Sequence, residues 1–317
     1  MAMPSTSDGD DLTPARQVIV CAHPGRPEAM AVAGEVAGLL CGRGVGGVAP
    51  ADQVDALLRH GGARVESVGE GDGPELVVVL GGDGTILRGA DLARQFSVPL
   101  LGVNLGHVGF LAESEREDIG RTVDHIVDRE YTVEHRMALD VQVFLEGQQI
   151  ATGWALNEAT VEKGSRERMV ELALEVDGRP LATWGCDGII LATPTGSTAY
   201  AFSTGGPVVW PDVEAILTIP ISAHALFARP LLVGPTTRLA VELIPESPGP
   251  GVLWCDGRAV ADLPFGARVE VARSEDPVRL ARLTSSPFTD RLVRKFGLSV
   301  EGWRGAARAQ QAEEGWV

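Results

Sequence analysis

The run Leu76-Val-Val-Val-Leu80, followed at once by Gly81-Gly-Asp-Gly-Thr85 and then Ile-Leu-Arg-Gly-Ala, constrains this chain more than any other stretch. Five apolar residues without alternation predict a strand covered on both faces, as in a parallel sheet flanked by helices. The glycines predict a tight turn, and beyond them Ile86, Ala90, Ala93 and then Phe96 or Ser97 recur at a helical period. A strand that ends in a glycine turn at a helix N-terminus presents backbone N–H groups and the positive end of the helix dipole, which suits a phosphate. Asp83 is the discordant member. A carboxylate among such amides repels the ligand unless it meets a metal ion, accepts a hydrogen bond from a ribose hydroxyl or takes a proton from a nucleophile. The plainer alternative is a turn in which Asp83 caps the helix.

The rest of the first half repeats this alternation. Strands are predicted at residues 17–22, around 63–68 and at 99–103, and helices at 27–40 and 52–59. The pattern predicts an α/β, doubly wound, Rossmann-like domain over residues 17–130, with ligands at the carboxyl ends of its strands. From about Tyr131 the period changes to two, in segments such as 138–145 and 170–176. Turn dipeptides at Glu146-Gly147, Asp177-Gly178 and Asp256-Gly257 signal hairpins. A mainly antiparallel β domain is therefore expected over residues 131–285. A C-terminal segment, 286–304, with a short helix at 290–296, is expected to return to the N-terminal domain. Residues 1–16 and 305–317 read as a disordered lead and tail. At 317 residues, two domains are the natural expectation.

Charge narrows the partners. The formal net charge is -16 and no basic run exceeds the pair Arg294-Lys295, so the electrostatic footprint of a nucleic-acid binder is missing. Any anionic ligand must be held locally, by backbone amides, a metal ion or single basic residues. Cys21, Cys41, Cys186 and Cys255 are scattered without a Cys-x-x-Cys spacing, which argues against zinc or a disulfide framework and for reduced core residues. The acidic N-terminus has neither the basic nor the apolar region of a signal peptide. The longest apolar-looking stretch, 213–233, is broken by Glu214, Pro220, His224, Arg229 and Pro230, too many interruptions for a bilayer span. A cytoplasmic protein without membrane partners is expected.

The segment GGDGT after a buried strand resembles the signature of a kinase superfamily that includes NAD kinases, diacylglycerol and sphingosine lipid kinases and 6-phosphofructokinases. Three further segments choose among them: LGVNLGHVGFLAE (101–113), LNE (156–158) and GCDGIILATPTGSTAYAFSTGGPVV (185–209) resemble NAD kinase motifs in the family's order. WCDGR (254–258) and FTDRLVRKFGL (288–298) extend the similarity, especially to the actinobacterial branch, so that it covers residues 18–304. The resemblance implies transfer of the terminal phosphoryl of ATP, or of inorganic polyphosphate, to the adenosine ribose 2'-hydroxyl of NAD. It also implies Mg²⁺ held mainly by the donor phosphates, and a homodimer or homotetramer.

Carried onto this chain, the resemblance makes Asp83 the catalytic carboxylate and puts Gly82, Gly84 and Thr85 in the phosphate-binding turn. Arg88 and His107 become nucleotide contacts, and Phe110 packs against a base. Asn157 and Glu158 bind hydroxyls of NAD. Asp187 faces the nicotinamide side, while Thr195, Thr198, Ala199, Tyr200 and Ser203 line the site, and Asp256 lies near the nucleotide of a partner subunit. His107 departs from the Arg that many relatives carry, replacing a permanent charge by one that titrates. By their residue types alone, Phe110 is equally a core aromatic, Asn157 and Glu158 strand-end hydrogen-bonders, Asp256 a turn residue and His224 a core group rather than a catalyst. Two other functions compete. A lipid kinase would need a basic or apolar membrane-facing surface, which this acidic chain does not supply; a non-catalytic NAD(H) sensor would differ only in turnover.

Overall fold

The computed structural model describes residues 16–61, 65–69, 71, 73–106 and 109–300. The expected lead (apart from Arg16), the expected tail and His107 lie outside the described residues. The chain divides into two compact units, one ending at Val133 and regaining Ala281–Thr284, the other made of Glu134–Leu280 and the residues from Ser285 onward.

The first unit runs β1 (Gln17–Ala22), α1 (Pro27–Cys41), β2 (Gly46–Ala49), α2 (Val54–Arg59), β3 (Glu66–Ser67), β4 (Leu76–Leu80), α3 (Asp83–Gln95), β5 (Leu100–Asn104), β6 (Ala112–Glu115), α4 (Ile119–Asp128) and β7 (Thr132–Arg136). The sheet order is β3-β2-β1-β4-β5, then the distant strand Val278–Arg282, then β7, with β6 also pairing β5. β1, β2, β3, β4, β5 and β6 pair in parallel. The order reverses between β1 and β4, so the GGDGT turn at the carboxyl end of β4 lies at a topological switch point, where such sheets bind ligands.

Every residue of β4 and β5 is buried, as expected of strands covered on both faces. α3 buries Ile86, Gly89, Ala90 and Ala93, the predicted stripe. Gly89 is what lets it sit down on the sheet: a Cβ there would lie 2.2 Å from Cγ2 of Val79. β2 was not legible beforehand. Its sequence is Gly-Gly-Val-Ala, and its strands-and-helix packing against α1 depends on small residues, a Cβ at Gly47 coming 3.2 Å from that of Ala37.

The second unit comprises β8 (Leu139–Leu145), β9 (Gln148–Ala155), β10 (Glu158–Lys163), β11 (Val170–Val176), β12 (Arg179–Cys186), β13 (Gly188–Ala192), α5 (Tyr200–Ser203), β14 (Ile216–Ile221), β15 (Leu231–Val233), β16 (Leu239–Leu243), β17 (Gly251–Cys255), β18 (Arg258–Leu263) and β19 (Arg268–Arg273), followed by β20 (Val278–Arg282) of the first sheet and α6 (Phe288–Phe296). Two six-stranded antiparallel sheets, β15-β14-β13-β10-β17-β18 and β12-β11-β16-β19-β8-β9, share a core of Leu139, Val141, Val161, Leu172, Trp184, Ile189, Val241, Leu253 and Val269 among others. The opposite face of β13 and β14 is also covered, by Ala201 and Val209, which explains why all of Gly188–Ala192 is buried.

The three hairpin dipeptides form as predicted. Glu146-Gly147, Asp177-Gly178 and Asp256-Gly257 all have positive φ at both positions, 51° and 78°, 50° and 75°, and 50° and 72°, the geometry that matches strand twist. Cys21, Cys186 and Cys255 are buried, Cys41 is partly exposed, and all four are free. No helix among the described residues is long and apolar enough to cross a membrane.

The C-terminal expectation requires correction. The stretch that rejoins the first unit is β20 with the residues to Thr284, because a strand slot between β5 and β7 takes it in. α6 stays with the second unit, where Phe296 stacks on Phe202 (4.7 Å between centroids) and Phe288 meets Trp210 edge-on (5.3 Å).

Candidate active site

In the first unit α3 begins at Asp83, with Gly82 as its extended N-terminal flank and no side-chain cap. Asp83 does not close its own helix. Its carboxylate turns to the loop after β5, where Oδ2 accepts from the Phe110 N–H (3.1 Å) and Oδ1 from the Leu111 N–H (3.2 Å). Gly109 makes this possible: a Cβ on it would stand 2.3 Å from Oδ1 of Asp83. Thr85 folds back over Gly81, where a Cβ would come 2.7 Å from Oγ1.

At Gly82 and Gly84, by contrast, a Cβ would meet nothing within 4 Å. Protein packing therefore does not require glycine at those two places, whereas a ligand approaching the backbone N–H groups would. Phe110 is buried, 8% exposed, as either reading allows. Arg88 is exposed on α3. Asn104, not singled out in the sequence, is buried at the end of β5, its side-chain oxygen accepting from Gly106 N–H at 3.4 Å.

In the second unit, Leu156 and Asn157 link β9 to β10. Their carbonyls are gripped by Thr193, whose hydroxyl donates to Leu156 O (2.5 Å) and whose N–H donates to Asn157 O (2.8 Å). Gly196 presses on the same place; a Cβ on it would lie 2.1 Å from Asn157 O. The Thr-Pro-Thr-Gly-Ser-Thr turn is tied further by Ser197, which donates to Pro194 O (2.7 Å) and accepts from Val209 N–H (2.9 Å). Arg136 donates to Thr195 Oγ1 (3.3 Å) while paired with Glu134 (2.8 Å). This buried guanidinium was missed, since nothing in its local sequence marks it.

Asn157 and Glu158 are each only 8% exposed. The Glu158 carboxyl accepts from the Tyr200 backbone N–H, and its Oε2 has no partner. Burial first, and the neighbouring Asp256 carboxylate second, push Glu158 up to about 8.

Asp187 sits beyond the other end of β13. Lys163 at 2.6 Å holds its carboxyl below the usual range, with Ser222 and His224 assisting. His224 is exposed and faces Asp187, so it is not the core group expected. A cavity of 320 Å³ is lined by Glu162, Lys163, Asp187 and Tyr200. Tyr200 thus meets Glu158 through its backbone N–H and also lines the cavity beside Asp187. Glu158 and Glu162 are about 13 Å apart along β10. Thr198 and Ala199 are partly exposed in the turn before α5, and Ser203 is exposed on α5. A larger cavity of 440 Å³ lies among Asp140, Arg238, Arg268 and Arg273 and contains none of the motif residues.

Comparison with known proteins identifies the family of both units. Residues 18–131 match the model of the ATP-NAD kinase N-terminal domain and residues 156–283 that of the ATP-NAD kinase C-terminal domain. The chain is 58% identical over 297 residues to NAD kinase 2 of Streptomyces coelicolor, covering 92% of this chain and 97% of that one. It is 56% identical over 303 residues to the NAD kinase of Thermobifida fusca, covering 92% of each. Among solved structures, an NAD kinase from Archaeoglobus fulgidus in complex with ATP superposes with a TM-score of 0.65 at 25% identity, over 90% of this chain and 100% of that one. The yeast NADH kinase complexed with NADH shares the fold, with a TM-score of 0.81 at 24% identity over 91% and 89%. With both domain models matched in sequence and near full-length relatives of that activity, the chain belongs to the ATP-NAD kinase family and catalyses the phosphorylation of NAD.

Proposed function

We propose that Asp83 receives the proton of the NAD adenosine ribose 2'-hydroxyl as the terminal phosphoryl of ATP passes to that oxygen. The observation that carries this reading is the pair of backbone donors, Phe110 and Leu111, that fixes both oxygens of Asp83 beside a turn whose glycines at 82 and 84 face open space. A hydroxyl is too weak an acid for a carboxylate to ionise beforehand, so the proton leaves as the new bond forms. The 2'-oxygen bonds to phosphorus, the bond from that phosphorus to the bridging oxygen breaks, ADP departs with the electron pair, and Asp83 takes the proton. In a loose transition state, positioning and charge stabilisation supply most of the acceleration.

The amides of Gly82, Gly84 and Thr85 at the start of α3 hold phosphates, Arg88 adds a cationic contact to the nucleotide, and a nucleotide contact by His107 is carried over from the family resemblance. The described residues contain no group of three acidic, His or Cys side chains that would cage a metal. Mg²⁺, as the family resemblance implies, would be held mainly by the donor phosphates, whose charge it would neutralise. Asn157 and Glu158 bind hydroxyls of NAD, an unpartnered buried Oε2 being a strong call for a ligand hydrogen bond. Asp187 and Tyr200 face the nicotinamide side, and Thr195, Thr198, Ala199 and Ser203 line the path between. The Archaeoglobus fulgidus enzyme was solved with ATP, which supports ATP as donor. Inorganic polyphosphate as a second donor, a homodimer or homotetramer, and a cytoplasmic location are carried over from the family resemblance.

The test is NADP formation from NAD⁺, Mg²⁺ and ATP, coupled to an NADP-specific dehydrogenase, with polyphosphate run in parallel. Asp83→Asn should lower kcat by a factor of about 10² or more and leave the KM for NAD within a few-fold. Wild-type turnover in that variant would remove Asp83 from the chemistry.

A further inference from the structure

We infer that Asp256 is a positioning residue, whose carboxylate clamps the backbone of Leu156, Asn157 and Glu158 and so sets the two side chains that meet the hydroxyls of NAD. The inference rests on the reading of Asn157 and Glu158 given above. A type I' hairpin turn asks of its first residue only that it tolerate positive φ, which Asn or Gly does as well as Asp. Glu146 and Asp177 fill the equivalent positions of the other hairpins.

Asp256 does more. Its Oδ1 accepts from the N–H groups of Asn157 (2.8 Å) and Glu158 (3.1 Å), its Oδ2 from that of Leu156 (2.8 Å), and its own N–H donates to Glu158 O (3.0 Å). Three of its roughly four acceptor sites are thereby committed to backbone a hundred residues away. Thr193 holds the carbonyls of Leu156 and Asn157 on the other side. Each peptide group of the link is thus gripped twice, and the directions of the Asn157 and Glu158 side chains follow from a backbone that cannot turn. A direct nucleotide contact, the role the resemblance implies for Asp256, is the alternative, and it has few lone pairs left to use.

The charge adds a second consequence. Glu158 faces Asp256, Glu162 on its own strand and the Tyr200 backbone N–H, with Arg258 facing Asp256. Removing the Asp256 charge removes one of the influences that raise Glu158.

The experiment compares wild type, Asp256→Asn, Asn157→Ala and the double variant in the full-length enzyme. In Asp256→Asn the amide nitrogen would confront the Leu156 N–H, donor against donor. The expected result is a KM for NAD raised about tenfold or more, with kcat and the KM for ATP within about threefold. The midpoint of the pH dependence of KM for NAD should move to lower pH, and the effects of Asp256→Asn and Asn157→Ala should be less than additive, what remains in the Asn157→Ala background acting through Glu158. Hydrogen exchange of the 156–158 amides should be faster in the variant than in wild type. An unchanged KM for NAD, a loss confined to kcat, or full additivity with Asn157→Ala overturns the inference. If Asn157→Ala itself leaves the KM for NAD unchanged, the reading of Asn157 fails, and unchanged amide exchange in Asp256→Asn then decides separately against the clamp. Should the Asn variant not fold, Asp256→Ser, which keeps one acceptor, serves in its place.

Discussion

Replacing Gly109 by alanine should disable the enzyme while leaving it folded. The expected effect comes from the new methyl group, which meets the carboxylate of Asp83. That carbon would stand 2.3 Å from Oδ1, 2.9 Å from Cγ and 3.1 Å from Oδ2 of Asp83. Relief requires the carboxylate to retreat by about 1 Å, since unstrained non-bonded contacts lie near 3.5 Å. The bonds from Phe110 and Leu111, already 3.1 and 3.2 Å, would then pass out of hydrogen-bonding range. A misplacement of about 1 Å at a reacting group lowers the rate about 10²-fold, equivalent to about 2.7 kcal/mol in the barrier. Asp83 is partly exposed, and the two lost bonds should lower stability by only about 1–2 kcal/mol. The assay is coupled NADP formation at saturating NAD and ATP, beside a thermal melt. Turnover within about threefold of wild type would refute the argument that this contact governs catalysis.

Gly196→Ala drives a Cβ to 2.1 Å from a backbone oxygen that cannot swing away, that of Asn157. It should raise the KM for NAD about tenfold and lower stability by about 1–3 kcal/mol, and a variant with wild-type KM and melting temperature would contradict the packing described. Glu158→Gln removes an ionisation whose folded value, about 8, stands above the ordinary 4.5. Between those values the unfolded chain releases the proton while the folded chain keeps it, so wild-type stability falls as pH rises through that window. The variant's melting temperature, relative to wild type, should therefore climb from about pH 5 to about pH 8; a flat difference would show that Glu158 ionises normally.

What the sequence determined was local. The all-apolar β4, the helical stripe of α3 and the positive-φ dipeptides at 146, 177 and 256 are properties of a few adjacent residues, and their patterns carry the backbone preference with them. The motifs for the glycine turn, the Asn157-Glu158 pair and the 185–209 segment were legible for the same reason. The family comparisons agree with the activity those motifs implied.

Only the tertiary structure decided what those residues touch. Asp83 turns away from its own helix to the amides of a loop 27 and 28 residues on, Asp256 seizes amides about a hundred residues back, and Arg136 reaches Thr195. β20 rather than the final helix rejoins the first sheet. Such pairings arise from the register and packing of whole sheets, so no short segment records them. The small residues that allow the closest approaches, Gly47, Gly109 and Gly196, carry almost no signal of their own, because what they contribute is the space they leave.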